Sequence, residues 1–399
     1  MTVQSAQPSS SITRRQLLGA IALSSAAAAC APANAPAAAP PPSQAPVASR
    51  SAWQTEWDEL VAKAKQEGKL NIITLTGVGQ RKRMDAFEKA FPGIEANLQE
   101  FSSASQIAPK VIAEQKAGVF EWDIADISPT TALQVMRPAG TWEPIRPLFF
   151  RPDVLADENW YGGFDEGFID IDKKWAYGGD YIITNRNSWI NTDMVPEGSI
   201  KSVTDLLDPK WKGKILMADV RTGYTFFPAN ALRVSRPSDG ESIMKRLLVD
   251  QEPTFLRDTR QITEAMARGK YAILASTGME EVTLTGMQKE GVGKNVKAIE
   301  IPEFTYGGAA GSMFLFHKAP HANVAKLYVN WVFSKEGQIA YQNGPDPARN
   351  SRRKDVPVYD KSTFPDPSRK VYNNSKESSI KDLEVTQKIL EQLVGLSNR

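Results

Sequence analysis

The sequence is poor in the residues that most often carry catalysis or hold metals. Its 399 residues contain one cysteine, Cys30, and two histidines, His317 and His321. One cysteine excludes an intramolecular disulfide and a zinc site built from a cysteine cluster. Two histidines leave little scope for histidine-based catalysis. Neither HExxH nor GxSxG is present, so zinc proteolysis and the α/β-hydrolase reaction have no support.

A basic surface is also missing. The formal charge of +2 arises in the first 50 residues, which hold three arginines and no acid, so residues 51–399 carry 45 basic against 46 acidic groups. Electrostatic binding of nucleic acid requires a basic face. We therefore expect no nucleic-acid partner.

The amino terminus has the layout of an export signal. Arg14 and Arg15 precede an apolar run over residues 17–29, which at 13 residues is too short to span a bilayer. The paired arginines followed by Gln-Leu-Leu resemble the twin-arginine signal, and residues 27–30 resemble a bacterial lipobox. This resemblance implies a signal peptide over residues 1–29 and a lipid on Cys30. The alternative is cleavage at a nearby Ala-x-Ala with an incidental cysteine.

A tether follows the signal. Fourteen of the 18 residues from position 31 to 48 are Ala or Pro, a composition that favours an extended spacer rather than a core. We expect residues 30–50 to link the membrane to a folded domain.

The folded part alternates helix and strand patterns. Apolar stripes at helical spacing predict helices over residues 53–64, 84–91, 106–116, 262–268, 324–332 and 385–393. Short apolar or alternating runs predict strands at 70–75, 94–98, 122–127, 214–218 and 271–276. Such alternation favours mainly parallel sheets covered on both faces. Two long β-like runs, 175–185 and 298–305, suggest two α/β lobes joined by paired strands, and residues 343–380 are predicted to be loop-like.

Known phosphate-binding motifs are incomplete here. Gly77 and Gly79 lie between a strand and a helix, but Lys82 occupies the place of the third glycine of a dinucleotide-binding turn. The run at 291–295 lacks the first glycine and the Ser or Thr of a phosphate loop. The adjacent acids Glu280 and Glu281 are more typical of a solvated surface than of an acid–base pair.

Polar loops recur where predicted strands end. Open α/β sheets bind ligands at the carboxyl ends of their strands, and hydroxyl groups beside helix N-termini suit an anion. The predicted ligand-binding residues in these loops are Thr76, Gly77, Ser103, Ser128, Arg221, Thr222, Tyr224, Ser276 and Thr277. The alternative for each Ser or Thr taken singly is a helix cap. Their repetition at successive strand ends favours a binding cleft.

Two segments carry a family resemblance. Residues 205–215, DLLDPKWKGKI, and residues 318–338, KAPHANVAKLYVNWVFSKEGQ, are similar to segments of extracellular solute-binding proteins of ABC importers. Residues 267–273, ARGKYAI, add a third match. In order and spacing the resemblance covers most of residues 69–345. Trp211 and Trp331 look structural, with each expected to pack one lobe.

The resemblance implies a two-lobed type 2 periplasmic-binding-protein fold that closes on a solute. Each lobe would be a mainly parallel sheet flanked by helices, with two crossing strands between them. Lobe 1 would comprise residues 51–178 and 306–345, lobe 2 residues 179–305, and residues 346–399 would form a C-terminal loop and helix that pack on the lobes. The implied partners are a small solute, an ABC permease and its ATPase, and the membrane through Cys30. We expect an exported, lipid-anchored monomer that needs no cofactor and is not an enzyme.

The resemblance leaves the solute open among ferric iron, polyamines, thiamine, and phosphonates or sugar phosphates. Ferric binders of this family usually have adjacent tyrosines after the strand that matches 271–276, and none stand there. Iron binding would then depend on Tyr181, Tyr224 and Tyr306, which are far apart in the sequence. Single tyrosines near a cleft more often stack on or hydrogen-bond an organic ligand.

An arginine favours an organic anion over these alternatives. Arg221 could clamp a carboxylate or phosphate with two hydrogen bonds, with Arg257 and Arg260 as second candidates. A phosphonate, sugar phosphate or carboxylate is therefore the leading solute class and ferric iron the runner-up. An enzyme resembling thiamine-pyrimidine synthase is disfavoured by the two histidines. A sensory binding protein remains the third alternative.

Overall fold

The computed structural model describes residues 51–76, 79–178, 180–181, 186–308, 311–342, 350–358, 361, 364 and 371–397. The predicted signal, Cys30, the tether and Gly77 lie outside these residues. The helices are α1 (Ala52–Glu67), α2 (Gln80–Ala90), α3 (Ala104–Lys116), α4 (Pro129–Thr131), α5 (Pro152–Leu155), α6 (Gly223–Ser235), α7 (Gly240–Lys245), α8 (Thr259–Ala267), α9 (Glu281–Lys289), α10 (Ala322–Val332), α11 (Lys335–Gln342) and α12 (Ile380–Ser397).

Two five-stranded sheets form the two lobes. The first has the order β2 (Glu95–Phe101), β1 (Lys69–Leu75), β3 (Ile124–Ile127), β12 (Ser312–Phe316) and β4 (Trp142–Glu143). The second has the order β10 (Val296–Ile299), β6 (Ser188–Asn191), β9 (Ile273–Leu274), β7 (Ile215–Ala218) and β8 (Thr254–Leu256). The predicted two-lobed α/β fold is confirmed.

Each sheet is mixed, with equal numbers of parallel and antiparallel pairings. β2, β1 and β3 run parallel, whereas β12 runs antiparallel to both of its neighbours. In the second sheet β8, β7 and β9 run parallel, and β6 runs antiparallel to both of its neighbours, β9 and β10. Four of the five strands in each sheet therefore point the same way, as expected of mainly parallel sheets, and β12 and β6 are the reversed strands. Each of these two is the first strand that the chain adds to its sheet after a crossing.

Both faces of the first sheet are buried. Ile72 packs with Phe87, Tyr328 and Trp331, whereas its neighbour Ile73 faces the opposite side, in the cluster that contains the apolar residues of α3. Successive residues of a strand point to opposite faces, so these two clusters are the two covered faces of one sheet. The second sheet repeats this arrangement, with Ile215 and Leu216 in separate clusters.

The segment around Trp211 is structural, as predicted. The Asp208 carboxylate accepts a hydrogen bond from the backbone N–H of Lys210, which caps the single turn Pro209–Trp211. Trp211 is buried in the second core, and Gly213 adopts a φ of 71°, a left-handed conformation that favours glycine. The chain then enters β7. Trp331 is likewise buried in the first core.

The sequence predicted that the two crossings between the lobes pair with each other. Within the residues that the structure describes, each pairs with another strand instead. The first crossing contains β5 (Asp180–Tyr181), which pairs with β13 (Asn350–Ser351). The second contains β11 (Tyr306–Gly307), which pairs with β14 (Tyr372–Asn373). Both partners belong to the C-terminal segment, so this segment holds the crossings.

The described parts of the C-terminal segment pack against both lobes. Arg352 and Arg353 are buried, and α12 continues onto the second lobe, where Leu390 and Leu393 join its core. The backbone of this segment therefore contacts the first lobe, both crossings and the second lobe in turn.

Candidate functional site

The loops that follow the parallel strands each lead into a helix. Thr76, Ser103 and Ser128 follow β1, β2 and β3, and the last two occupy the N-cap positions of α3 and α4. Neither serine side chain accepts the capping hydrogen bond from its helix, and Ser103 Oγ lies 2.8 Å from Ser105 Oγ. Because the carboxyl ends of parallel strands share one edge, all three lie along one edge of the first sheet.

A buried ion pair lies at the same edge of the first sheet. Arg83 Nη1 lies 3.0 Å from Asp126 Oδ2, and both side chains are less than a tenth exposed. A Cβ added to Gly311 would lie 2.2 Å from Asp126 Oδ1, so the chain on β12 passes directly over this carboxylate. The sequence predicted Asp126 at the end of a strand but gave no sign of its partner.

A pocket of about 500 Å³ lies at the corresponding edge of the second sheet. It is lined by Gly223, Tyr224, Phe227, Thr259, Thr277, Gly278, Met279, Glu280 and Tyr306. Three of the residues predicted to bind ligand, Tyr224, Thr277 and Tyr306, therefore meet in one pocket.

Three helices begin at this pocket. Gly223 is the first residue of α6, Thr259 is the first residue of α8, and Glu280 is the N-cap of α9. Asp258 caps α8 with a hydrogen bond to the Gln261 N–H, whereas α6 and α9 have no side-chain cap. The partial positive charge at the start of a helix attracts anions, and uncapped N–H groups can donate to them.

The pocket wall is partly aromatic. The rings of Phe227 and Tyr306 lie 5.6 Å apart, and Tyr224 is 42% exposed. Gly278 has a φ of 106°, and a Cβ there would lie 3.1 Å from the Tyr224 ring, so only glycine permits this approach. Thr277 donates both its N–H and its hydroxyl to the Tyr224 carbonyl, at 3.0 and 2.9 Å. These bonds fix the loop after β9 to the start of α6.

Glu280 brings a carboxylate to the pocket. It accepts hydrogen bonds from the hydroxyls of Thr259 and Thr283, so the acid is held between α8 and α9. Its neighbour Glu281 turns to an ion pair with Arg186 at 2.7 Å. The two adjacent acids therefore have different partners, and Glu280 alone lines the pocket.

Of the other predicted site residues, Ser276 and Thr222 each adjoin a pocket residue in the chain. Ser276 is fully buried, and its Oγ accepts a hydrogen bond from the Ala218 N–H at 2.9 Å, which joins the ends of β7 and β9. Thr222 is the N-cap of α6, and its hydroxyl donates to the Asp219 carbonyl. The side chain of Tyr181 lies outside the described part of the structure. Thr76 is exposed, and its N–H donates to Phe101.

The Arg221 guanidinium is paired with a carboxylate. It forms two hydrogen bonds to Asp219, Nε to Oδ1 at 2.8 Å and Nη2 to Oδ2 at 2.5 Å, while Arg257 Nε lies 2.9 Å from Oδ2. The Arg221 hydrogen bonds, opposed by partial burial and reinforced by Arg257, hold the pKa of the Asp219 carboxyl well below its usual range. Arg260 pairs with Glu264 on the exposed face of α8.

Sequence reasoning missed Phe227, Glu280 and Asp219. Phe227 lies one helical turn after Gly223. A prediction that α6 starts after a Thr222 cap would therefore have put both residues on the helix face that lines the pocket. No local signal identifies Asp219 as the partner of two arginines, since Arg257 comes from another strand end.

No metal cluster and no membrane span is found in the parts of the chain that the structure describes. There, no three His, Cys, Asp or Glu side chains are grouped as metal ligands. Nor is any described helix long and apolar enough to cross a bilayer.

The arrangement of strand-end loops around a pocket in a two-lobed fold agrees with a family match. The model of the bacterial extracellular solute-binding proteins matches residues 82–351. The chain belongs to this family. Its family is thus one of solute-binding proteins rather than enzymes, and its members are extracellular. No curated protein sequence matches the chain.

Solved structures share this protein's fold at low sequence identity. The ferric iron-binding protein A of Mannheimia haemolytica in an open conformation is 13% identical, with a TM-score of 0.63, and the match covers 82% of this chain and 98% of that one. AfuA of Actinobacillus pleuropneumoniae, a periplasmic binding protein with fructose-6-phosphate bound, is 16% identical with a TM-score of 0.58 and coverages of 82% and 98%. The spermidine/putrescine substrate-binding protein PotD of Streptococcus pneumoniae is 15% identical, with a TM-score of 0.55 and coverages of 82% and 99%.

Proposed function

We propose that this solute-binding protein captures a small organic anion and delivers it to the permease of an ABC importer. The observation that carries the proposal is the convergence of three helix N-termini on one pocket, two of them without a side-chain cap. A bound anion would satisfy the free N–H groups of α6 and α9. AfuA, with its bound sugar phosphate, is a structural precedent for this ligand class on the same fold.

The other pocket groups suit a ligand that carries hydroxyls. The Glu280 carboxylate accepts hydrogen bonds, so it would bind donor groups such as sugar hydroxyls and would repel a second anionic group. Tyr224, Phe227 and Tyr306 offer ring faces to the apolar face of a sugar or similar ring. A phosphorylated or carboxylated polyol meets all three requirements.

The proposed cellular arrangement follows from the amino-terminal sequence. Export through a twin-arginine signal and a lipid on Cys30 would attach the protein to the outer face of the cell membrane, with residues 30–50 as the tether. The proposed lobes are residues 51–178 with 306–345, and residues 179–305. Lobe closure would bury the solute, and the closed form would engage the permease as a monomer without a cofactor.

Ferric iron is the second candidate because Tyr224 and Tyr306 both line the pocket. Two phenolates and a synergistic anion could hold Fe³⁺. Several structures with this fold are named ferric-binding proteins, among them that of Mannheimia haemolytica. The adjacent tyrosine pair is absent, and the uncapped N-termini of α6 and α9 attract anions rather than cations, so the organic anion is the better match to the described groups.

A thermal-shift screen of the full chain tests the proposal. The panel comprises sugar phosphates, phosphonates, carboxylates, spermidine and Fe³⁺. A ligand at about 100 times its Kd adds about 2.7 kcal/mol to the free energy of unfolding, which raises Tm by several degrees. We expect at least one organic anion to do so. A Tm raised by Fe³⁺ or spermidine alone would refute the proposed ligand class, and turnover of any compound would refute the binding role.

Tyr224→Ala is expected to weaken binding of the anion found by the screen about 5- to 30-fold, since loss of one stacking aromatic costs about 1–2 kcal/mol. Isothermal titration calorimetry gives the Kd. The matched control is Met194→Ala, a similarly exposed side chain that follows β6 at the opposite edge of the second sheet. Equal affinities of the wild type and Tyr224→Ala would place the ligand elsewhere.

A further inference from the structure

Three charged residues form a fixed cluster beside the pocket. The Asp219 side chain is 9% exposed, whereas those of Arg221 and Arg257 are 60% and 66% exposed. Asp219 Oδ1 also accepts a hydrogen bond from the Arg221 backbone N–H at 3.0 Å. The arginines come from the ends of two neighbouring parallel strands, β7 and β8, which the Asp219 N–H joins by a hydrogen bond to the Leu256 carbonyl.

The cluster keeps most of its donors free to bind a ligand. A guanidinium has five N–H bonds. The bonds to Asp219 use two of them on Arg221 and one on Arg257. The remaining donors belong to side chains that are more than half exposed, and one carboxylate leaves the two cations with a net charge of +1.

The position of the cluster links it to the pocket. Arg221 precedes the pocket residue Gly223 by two positions, and Arg257 precedes the pocket residue Thr259 by two positions. Neither arginine lines the pocket, but each lies just before the helix, α6 or α8, whose first residue does. Without Asp219, two like charges would repel each other, and long side chains would lose this alignment.

We propose that Arg221 and Arg257 form an anion subsite at the rim of the pocket, that Asp219 is its positioning residue, and that the subsite takes a phosphoryl or phosphonyl group. This inference rests on the proposed function and narrows its ligand class. A phosphoryl group offers three tetrahedral oxygens and up to two negative charges, which two guanidinium forks can share. A carboxylate has two coplanar oxygens, which one fork already satisfies.

The alternative to ligand binding is a purely structural role, in which the three charged residues only join two loops. That role predicts a change in Tm when one of the charges is removed and no change in ligand preference. Discrimination between phosphate and carboxylate on the same scaffold is therefore the readout that separates the two roles.

The test is calorimetric titration of the full chain with inorganic phosphate, methylphosphonate, glycerol phosphate, glucose 6-phosphate and, as the carboxylate match, glucuronate. For the wild type we expect at least one phosphorylated or phosphonate probe to bind, and glucose 6-phosphate to bind at least tenfold more tightly than glucuronate.

Arg257→Ala should weaken binding of the phosphorylated probe about 10- to 100-fold. Arg257→Lys should recover little, because it keeps the charge but loses the fork. Asp219→Asn should weaken binding about tenfold and reduce the preference for phosphate.

A matched ion pair provides the control. Arg236 makes the same two-bond contact with Asp239, at 2.9 and 2.5 Å, at the far end of α6. Asp239→Asn should leave the affinity and the preference unchanged.

The outcomes separate the inference from the proposed function. If the phosphorylated probe binds and neither Arg257→Ala nor Asp219→Asn weakens it, the subsite is refuted and the anion-binding function stands. A wild type that binds glucuronate and none of the phosphorylated or phosphonate probes also refutes the subsite alone. Binding of no anion in the panel refutes both.

Discussion

Replacing Gly337 by alanine is expected to lower the free energy of unfolding by about 3 kcal/mol or more. A Cβ at this position would lie 1.9 Å from the Trp331 carbonyl oxygen and 2.6 Å from the Val332 Cα. Both atoms belong to the backbone at the end of α10, so no side-chain rotation relieves the overlap. α10 packs into the first core through Leu327 and Tyr328, and a shift of this helix would disturb that packing.

Urea denaturation followed by circular dichroism measures the effect of Gly337→Ala. The matched control is Gly286→Ala within α9, where a Cβ meets no atom within 4 Å. Alanine is the better helix former by about 1 kcal/mol, so this control should be as stable as the wild type or more stable. Similar midpoints for the two variants would show that α10 and α11 do not approach as described.

Arg353→Ala should destabilise the protein by about 3–5 kcal/mol, as expected when one partner of a buried charge network is removed. The Arg353 side chain is 1% exposed. Nη1 donates to the carbonyls of Asp153 and Phe333, at 3.1 and 3.0 Å, while Nε and Nη2 donate to the two carboxylate oxygens of Asp355. The guanidinium also lies 5.2 Å from the Trp160 ring. Truncation would leave the Phe333 carbonyl without this donor and would remove the partner of the Asp355 carboxylate, which is about one-third exposed.

The same denaturation experiment measures Arg353→Ala. Arg353→Lys is expected to recover little of the loss, because one ammonium group cannot reach acceptors on several sides. Lys354→Ala, a change at the adjacent exposed position, should remain within about 0.5 kcal/mol of the wild type. A loss below 1 kcal/mol for Arg353→Ala would mean that the C-terminal segment is not anchored at this arginine.

The helices with clear apolar stripes could be predicted from the sequence. Residues 53–64, 324–332 and 385–393 lie in α1, α10 and α12, since a buried face repeats at the helical period. The strands at 70–75 and 214–218 were also predicted, as was the burial of Trp211 and Trp331 in separate cores. These features depend on neighbours in sequence.

The C-terminal segment shows where the sequence was insufficient. Charge and proline between residues 343 and 380 predicted a loop and gave no sign that Arg352 and Arg353 are buried. Their partners are carbonyl groups far away in sequence, such as those of Tyr161 and Asp153. A buried arginine is identified by the acceptors around it, and no local pattern shows which loops will provide them.

The sequence predicted only part of the candidate site, again because no local pattern shows which groups will lie beside a given side chain. Tyr224, Thr277 and Tyr306 follow strand ends or a crossing and meet in the pocket, as the order of elements implied. Arg221 was expected to bind the ligand directly, whereas the structure pairs it with Asp219 beside the pocket. That pairing depends on the angle at which the chain leaves β7, which a sequence pattern does not encode.

The most direct test of the proposed ligand class compares the binding of an organic anion with the binding of ferric iron to the full chain. Fe³⁺ is supplied as its nitrilotriacetate complex, and phenolate-to-iron charge transfer is followed in the visible spectrum while the anion selected by thermal shift is titrated by calorimetry. We predict a saturable, one-to-one calorimetric isotherm for the anion, weakened by Tyr224→Ala, and no charge-transfer band with iron. A charge-transfer band lost in Tyr224→Ala and Tyr306→Ala, with no heat from any organic anion, would contradict the assignment and make this protein a ferric-iron binder.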